Sequence, residues 1–216
     1  MLIENIGHAE FLIELDSGFR IVTDPYDAST GYPVHSVRAD AVLVSHSHHD
    51  HNAVENVRGW SVMADAPGTY TLAPGVTVEA IPCFHDEEQG ARRGPNLIFV
   101  LRAEGLILAH LGDLGHLPDA ELAAKVGPVD ILMVPVGGFF TIDGEKAAAV
   151  ARMLKARIAL PMHFRTAYNP DWPIAPVDGF LAAMGTPAET LRLLRVTKED
   201  LELQPALAVL TPRPAN

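Results

Sequence analysis

The sequence contains very little cysteine and no long apolar run. Cys83 is the one cysteine among 216 residues, so no disulfide can form within the chain, as is usual in a reducing compartment. No apolar segment approaches the roughly 20 residues that a membrane-spanning helix needs. The first residues also lack the basic and apolar regions of a secretory signal. We therefore expect a cytoplasmic protein with no membrane partner.

Basic residues are scarce relative to acidic ones. The chain has 16 Lys and Arg residues against 27 Asp and Glu residues, which gives a formal net charge of −11 and a pI near 5.3. No basic cluster interrupts this pattern, so the phosphates of a nucleic acid would be repelled rather than bound. The composition therefore excludes nucleic acid as the expected partner and favours a small molecule.

The order of apolar segments indicates the fold class. Several strand-like segments precede the first convincing helical pattern, and the second half alternates between strand and helix, which is typical of an α/β fold with mixed sheets. With 48% hydrophobic residues and nothing that resembles a linker, residues 1–216 are expected to form one domain. The proline-rich tail, residues 212–216, is expected to be frayed.

The most informative motif is the run SHSHHDHN at residues 45–52, which follows a short, β-branched, strand-like segment. In an extended chain His46 and His48 point to the same side and could hold one metal ion. Asp50 and His51 are adjacent and need a tight loop to reach a second ion. Imidazole and carboxylate together suit zinc, with manganese, iron or nickel as alternatives. The alternative interpretation is a solvated histidine-rich loop.

Three more candidate ligands follow strand-like segments farther along the chain. His85 comes after the alternating segment 76–81, and His163 comes after the apolar segment 157–160. Asp113 follows the strand-like segment 106–110 and Gly112, whose freedom would let the backbone turn closely there. Ligand sites favour the carboxyl ends of strands, so these side chains could complete a site for two metal ions.

The ligand order H-x-H-x-D-H, then His, then Gly-Asp, then His resembles that of the metallo-β-lactamase superfamily. Within it, three stretches are similar to the branch that contains ascorbate-6-phosphate lactonases and other metal-dependent hydrolases: IGHAEFLIE at 6–14, TDPY at 23–26 and HLGDLGH at 110–116. The resemblance implies a four-layer αββα sandwich with two mixed sheets. It also implies a cofactor of two divalent metal ions, with zinc expected first and manganese second.

The same resemblance distributes the candidate ligands between the two ions. One ion would be held by His46, His48 and His85, the other by Asp50, His51 and His163, and Asp113 would bridge them. Two ions about 3.5–4 Å apart can activate a water and polarise a carbonyl or phosphoryl oxygen, so the expected reaction is hydrolysis.

Asp50 and two histidines outside the ligand set are candidates for direct roles in the reaction. Asp50 would orient the attacking water and is a candidate proton acceptor. His116 is a candidate catalytic hydrogen-bond donor, and His8 is a candidate for substrate binding. For His8 and His116, simple packing is an equally good interpretation.

Polar residues outside the ligand set complete the predicted site. Arg93 and Asn96 belong to the glycine-punctuated loop 86–96, and could bind an anionic group and a carbonyl of the substrate. The alternative is a solvated loop whose charges pair internally. Asp24 precedes Pro25 at a strand end, and in the family such an aspartate orients a ligand histidine. The alternative is an Asp-Pro turn.

The predicted function is metal-dependent hydrolysis of a small ester-like bond, a lactone first and a phosphodiester second. The substrate is expected to be anionic or a cyclic ester, because bound dications make the pocket locally positive. A homo-oligomer is compatible with the sequence. The alternative is a metal-binding or regulatory protein with the same fold and no turnover.

Overall fold

The computed structural model describes residues 1–215. The strands of the first half are β1 (Leu2–Gly7), β2 (Glu10–Glu14), β3 (Arg20–Thr23), β4 (Val37–Arg38), β5 (Ala41–Leu43), β6 (Val57–Arg58), β7 (Val62–Ala64), β8 (Gly68–Ala73) and β9 (Val76–Phe84). Those of the second half are β10 (Pro95–Ala103), β11 (Leu106–His110), β12 (Ile131–Pro135), β13 (Ile158–Met162), β14 (Glu189–Leu191), β15 (Leu194–Arg195) and β16 (Ala208–Leu210). The α-helices are α1 (Ala120–Val126), α2 (Gly144–Met153) and α3 (Asp178–Met184). Short 3₁₀ turns lie at Ala28–Thr30, Val54–Asn56 and Leu201–Leu203.

Two six-stranded mixed sheets form the centre of the described residues. The first has the order β15-β1-β2-β3-β5-β7, and the second has the order β13-β12-β11-β10-β9-β8. In the first sheet, β3, β5 and β7 are parallel neighbours and the other pairings are antiparallel. In the second, β8 to β11 form an antiparallel meander and β11, β12 and β13 run parallel. The predicted α/β class with mixed sheets is confirmed.

The main core lies between the two sheets, because each contributes one apolar face to it. Alternation along β3 shows this: Ile21 packs in the core between the sheets, whereas Val22 packs on the opposite face. The α-helices cover the outer face of the second sheet. The outer face of the first sheet is covered by loops and 3₁₀ turns, with Tyr26 and Tyr32 packed beneath them. The αββα layering is thus present, with an outer layer over the first sheet that contains little regular helix.

Helix α2 shows how the local sequence sets these elements. Asp143 caps its N-terminus by accepting a hydrogen bond from the Lys146 N–H at 2.9 Å, and the alanine-rich segment that follows has high helix propensity. Its apolar face, Ala147, Ala148 and Val150 among others, is buried against the second sheet. None of the helices within residues 1–215 has the length and apolar character needed to cross a membrane.

The C-terminal tail is docked rather than frayed, contrary to the prediction. The Arg213 N–H donates to the carbonyl of Asn5 at 3.0 Å, and the Arg213 guanidinium pairs with Glu4, its Nε lying 2.9 Å from Oε1. Just before the tail, Asn5 also donates to the Leu210 carbonyl at 3.2 Å. These contacts join the tail to β1. The last residue of the predicted frayed segment, Asn216, lies outside the described residues.

Candidate metal centre

The candidate ligands converge because they follow strands that end at the same edge of the sandwich. His46, His48, Asp50 and His51 follow β5 of the first sheet. The ligands after the second sheet's strands are His85 after β9, Asp113 after β11 and His163 after β13. The structure therefore brings together the seven side chains that the sequence singled out, and it does so across both sheets.

Asp113 lies at the centre of this cluster and is almost fully buried. Its Oδ2 is 3.1 Å from His85 Nε2 and 3.2 Å from His163 Nε2, and its Oδ1 is 3.3 Å from His51 Nε2. Burial alone would raise the pKa of Asp113, but His163 and His51 hold that pKa well below its usual range. An ionised carboxylate surrounded by imidazoles is the arrangement expected of a bridging ligand.

Asn96 holds the backbone around Asp113 in place through two hydrogen bonds. Its Oδ1 accepts the Asp113 N–H at 2.9 Å, and its Nδ2 donates to the Leu111 carbonyl at 2.9 Å. Gly112 between them has φ +52°, and a Cβ there would lie 2.3 Å from Asn96 Oδ1. Asn96 is fully buried, so its position does not support the predicted substrate-binding role. Asn96 instead positions the central carboxylate.

The ligand atoms form two main groups, each spanning no more than 4.8 Å. The first is His46, His48 and His85, as predicted. The second is Asp50, His51 and His163, as predicted, together with His8. Buried Nε2 atoms of His46 and His51 and Oδ1 of Asp113 have no hydrogen-bond partner within residues 1–215. Converging, unpartnered imidazole and carboxylate atoms are suitable ligands for divalent metal ions, so the side chains fit such ions.

Asp24 orients two of these histidines, as expected from its position at a strand end. Its Oδ2 lies 2.9 Å from His51 Nδ1 and accepts the Ser45 hydroxyl at 2.6 Å, and its Oδ1 accepts the Ser45 N–H at 2.7 Å. The Ser45 Oγ is then free to accept from His46 Nδ1, 2.9 Å away. Both rings are thereby turned so that their Nε2 atoms face the cluster. The hydrogen bonds through which Ser45 connects Asp24 to His46 were not predicted. The only sequence signal for them is that Ser45 directly precedes His46.

Burial also sets the protonation of His46. Removal from water lowers the pKa of His46 to about 3, with a further contribution from neighbouring His51. The ring is therefore neutral near pH 7, which is the form that ligates metal.

A cavity of about 490 Å³ opens directly above the cluster. Phe140 and Trp172 form apolar walls, with ring centroids 6.2 Å apart, and the Arg93 guanidinium lies 5.6 Å from the centre of the Phe140 ring. Arg93 therefore borders the cavity, and its predicted role in substrate binding stays a prediction. The remaining lining residues are His48, His49, Asp50, His85, Asp113, His163, Asp171 and Pro173. The segment 171–173 carried no sequence signal for a site, because nothing local indicates that it folds over the cluster.

The loop that carries Arg93 is organised by Asp86. The Asp86 carboxylate accepts four backbone N–H groups, two at each oxygen, from residues 88, 90, 92 and 93 at 2.8–2.9 Å. Although desolvation would raise its pKa, these donors lower the pKa of Asp86 to about 2. The loop therefore has a fixed backbone, which holds Arg93 beside the cavity.

Besides that of Asn96, two predicted roles do not agree with the geometry. His116 lies outside the cavity lining: its Nε2 accepts the Phe84 N–H at 3.3 Å and its Nδ1 donates to the Leu117 carbonyl at 2.9 Å. With both ring nitrogens engaged by backbone, His116 has a structural position rather than a catalytic one. His8 is fully buried and also absent from the cavity lining, so the predicted substrate contact is not favoured.

Comparison with known proteins agrees with the ligand order and the fold. The profile of a family described as "Beta-lactamase superfamily domain" matches residues 2–163. A protein from Carboxydothermus hydrogenoformans that is named a metal-dependent hydrolase is 32% identical in a match that covers 82% of this chain and 88% of that protein.

Solved structures give the same result. A crystal structure from Thermotoga maritima, described as a candidate Zn-dependent hydrolase of the metallo-β-lactamase superfamily, superposes with a TM-score of 0.80 at 33% identity, covering 98% of this chain and 99% of that chain. A metallo hydrolase from Ignicoccus hospitalis shares the fold, with a TM-score of 0.66 at 19% identity over 98% of this chain and 94% of that chain. With its two mixed sheets, its histidine and aspartate cluster and a family match over most of its length, the chain belongs to the metallo-β-lactamase superfamily.

Proposed function

We propose that the protein is a hydrolase that uses two divalent metal ions, zinc first and manganese second, to cleave a small ester-like bond. A lactone is the first candidate substrate and a phosphodiester the second. The observation that carries the proposal is the convergence of two groups of candidate ligands on the buried carboxylate of Asp113, at the floor of an open cavity. Relatives named metal-dependent hydrolases support the same reaction class.

The two ligand groups support one distribution of the side chains between the ions. His46, His48 and His85 would hold one ion, Asp50, His51 and His163 the other, and Asp113 would contact both. When bound, the ions supply Lewis acidity that polarises the scissile carbonyl or phosphoryl group and makes water nucleophilic near neutral pH.

Asp50 is suited to orient a water molecule rather than to retain a proton. It lines the cavity, and 14% of its side chain is exposed. Burial would raise the pKa of Asp50, but His8 and His51 beside it hold that pKa well below its usual range. Because the carboxylate stays ionised, it can accept a hydrogen bond from a water in the cavity while being a weak base.

The cavity walls indicate the type of substrate. A volume of about 490 Å³ is that of a small-molecule pocket and is too small for a polymer to enter fully. Phe140 and Trp172 would shield an apolar part of the substrate from water, and Arg93 would bind a carboxylate or phosphate. The cationic guanidinium and the bound ions would attract an anionic substrate despite the net charge of −11.

The first test is metal content followed by a substrate panel. Protein without a tag, purified without chelator and then incubated with zinc or manganese, should retain about two ions per chain by mass spectrometry. The loaded protein should hydrolyse members of a panel of lactones, acyclic esters and phosphodiesters, with and without a carboxylate group.

The matched variant is Asp113→Asn, which keeps the shape of the side chain and removes its charge. It should lose hydrolysis to the level of the buffer blank, because the charge that both ligand groups share is gone. Retained activity in this variant would exclude the proposed centre. Two bound ions with no turnover on any panel member would instead favour a metal-binding or regulatory protein.

A further inference from the structure

His8 is enclosed behind the cavity, among the candidate ligands. Its side chain has no exposed surface. Its ring centroid lies 4.3 Å from that of His163, 5.1 Å from that of His51 and 5.4 Å from that of Trp172. Because these rings surround it, a molecule in the cavity would have to displace Trp172 or a candidate ligand to reach it. The surroundings of His8 are therefore those of a ligand rather than of a substrate-binding residue.

Neither ring nitrogen of His8 has a hydrogen-bond partner of acceptable geometry within residues 1–215, although Nε2 lies near the carboxylate of Asp50. His110, a fully buried histidine outside the two ligand groups, differs in this respect. His110 Nε2 lies 3.0 Å from the Ala9 carbonyl and its Nδ1 accepts the Gly112 N–H at 3.1 Å. Leaving buried polar atoms without a partner is energetically unfavourable, because they lose their hydrogen bonds to water. His110 thus has a structural explanation, and His8 needs another.

The position of the His8 Nε2 atom supplies an explanation for the burial of this ring. It lies 3.3 Å from Asp50 Oδ2, and His51 Nε2 lies 3.7 Å from that same oxygen. Together with His163, the four ligand atoms lie within 4.8 Å of one another. Two ligand atoms on one ion, each about 2.1 Å from it, can be up to about 4.2 Å apart. Small side-chain rotations would therefore bring all four atoms to ligating distance of one ion.

The backbone also holds His8 in a specific orientation. His8 has φ 54° and His163 has φ 52°, both in the left-handed region, which is uncommon for residues other than glycine even though histidine, asparagine and aspartate adopt it more often than most. The two are linked directly, since the His163 N–H donates to the His8 carbonyl at 3.3 Å. Strained conformations of this kind persist where the surrounding structure requires them, and they are concentrated at functional sites.

We propose that His8 is a ligand of the metal ion assigned to Asp50, His51 and His163. The inference rests on the metal centre proposed above and extends its ligand set to the turn between β1 and β2. The second ligand group then has four side chains against three in the first. The two ions of the centre are therefore held unequally.

The test is the substitution His8→Asn, because asparagine tolerates a left-handed backbone and removes the imidazole. His116→Gln is the matched control, a histidine near the cavity whose ring contacts only backbone polar groups. Stepwise zinc affinities, measured by competition with a chromogenic chelator, should show one of the two equivalents weakened by about 10-fold or more in His8→Asn. The second zinc ion in His8→Asn, and both zinc ions in the control variant, should bind with the same affinity as in the unsubstituted protein. Two unchanged affinities in His8→Asn would overturn the inference.

A second measurement uses the unsubstituted protein and does not depend on how the variant folds. The protein is loaded with a magnetic isotope of cadmium and labelled with nitrogen-15 in its histidine rings. Scalar coupling between cadmium and a His8 ring nitrogen is the expected result. Two bound ions with no such coupling at His8 would refute the inference and leave the proposed hydrolase intact, whereas a protein that binds no metal would refute the proposed hydrolase itself.

Discussion

At the scale of single residues, Asp24 tests whether hydrogen bonds behind the ligands matter for metal binding. Asn cannot accept all the bonds that Asp24 accepts from His51 and Ser45, because one carboxylate oxygen is replaced by a donor. We expect Asp24→Asn to weaken zinc binding by about 10–100-fold in a chelator competition. The control is Asp119→Asn at the start of α1, where asparagine caps as well as aspartate. Equal zinc affinities in the two variants would contradict this role.

Gly115 tests how closely the segment after Asp113 must approach the end of β9. An added Cβ would lie 2.2 Å from the His85 carbonyl carbon and 2.3 Å from the Asp86 nitrogen. We expect Gly115→Ala to destabilise the metal-free protein by roughly 1–3 kcal/mol, and hence to lower its melting temperature by several degrees in differential scanning fluorimetry.

The control for that substitution is Gly179→Ala in α3, where nothing lies within 4 Å of the added methyl group. Alanine favours the helix by up to about 1 kcal/mol, so the melting temperature should stay constant or rise. A similar loss in both variants would mean that crowding at Gly115 is not the cause.

Single residues also show why part of the site could be predicted and part could not. His46, His48, Asp50 and Asp113 are ligand types at strand ends, and both of those properties can be identified locally in the sequence. Asn96 contacts the Asp113 backbone and Ser45 contacts the His46 ring. Their roles depend on how the folded sheets bring segments together, and the spacing of residues in the sequence does not reveal this. Arg93 was identified because its loop is locally polar, whereas Trp172 was missed because nothing in its own segment indicates that it folds over the cluster.

At the scale of elements, the docking of the C-terminal tail on β1 depends on Glu4. Burial would raise the pKa of Glu4, but Arg213 and Arg192 lower it below its ordinary value. A carboxyl whose pKa is lowered by folding stabilises the protein above its unfolded pKa, and this contribution is lost as pH falls through the folded pKa.

We therefore expect Glu4→Gln to lower the melting temperature near neutral pH by about 2–4 °C, corresponding to about 1 kcal/mol. The difference from the unsubstituted protein should shrink toward zero as pH falls below the ordinary range of a glutamate pKa and Glu4 itself becomes protonated in the folded state. The exposed pair Glu121 and Lys125 provides the control, since Glu121→Gln should change little at either pH. A difference independent of pH would argue against the ion pair as the cause.

The same element shows the limit of local prediction. Residues 212–216 carry two prolines and no apolar pattern, which is typical of a frayed end. The contacts that hold the tail join Arg213 to Glu4 and Asn5, more than 200 positions away in the chain. Strands β5, β9, β11 and β13 could be predicted because their apolar patterns are local. The contact between Arg213 and Glu4 could not be predicted, because nothing near either residue in the sequence indicates the other.

At the scale of the whole molecule, the candidate metal ligands come from both sheets. His46, Asp50 and His51 follow a strand of the first sheet, and His85, Asp113 and His163 follow strands of the second. Metal that binds the folded state alone stabilises it, by about 4 kcal/mol at a concentration 1,000 times the dissociation constant. We expect chelator treatment to lower the melting temperature by roughly 10 °C in calorimetry, and zinc to restore it.

Asp113→Asn is the control for this effect, because it lacks the charge that both ligand groups share. Its melting temperature should respond much less to chelator and to zinc. If the unsubstituted protein melted at the same temperature with and without metal, metal binding at the candidate ligands would not stabilise the folded state.

The walls of the cavity are built on segments different from those that supply its floor. Arg93, Phe140 and Trp172 lie on three separate loops, and none of these three side chains belongs to a ligand group. A combinatorial library restricted to these positions would vary the shape and charge around the substrate while the histidines, Asp50 and Asp113 remain constant. In the hydrolase proposed above, substrate choice and chemistry would thus be carried by different segments, which would make the scaffold a suitable starting point for the directed evolution of new hydrolases.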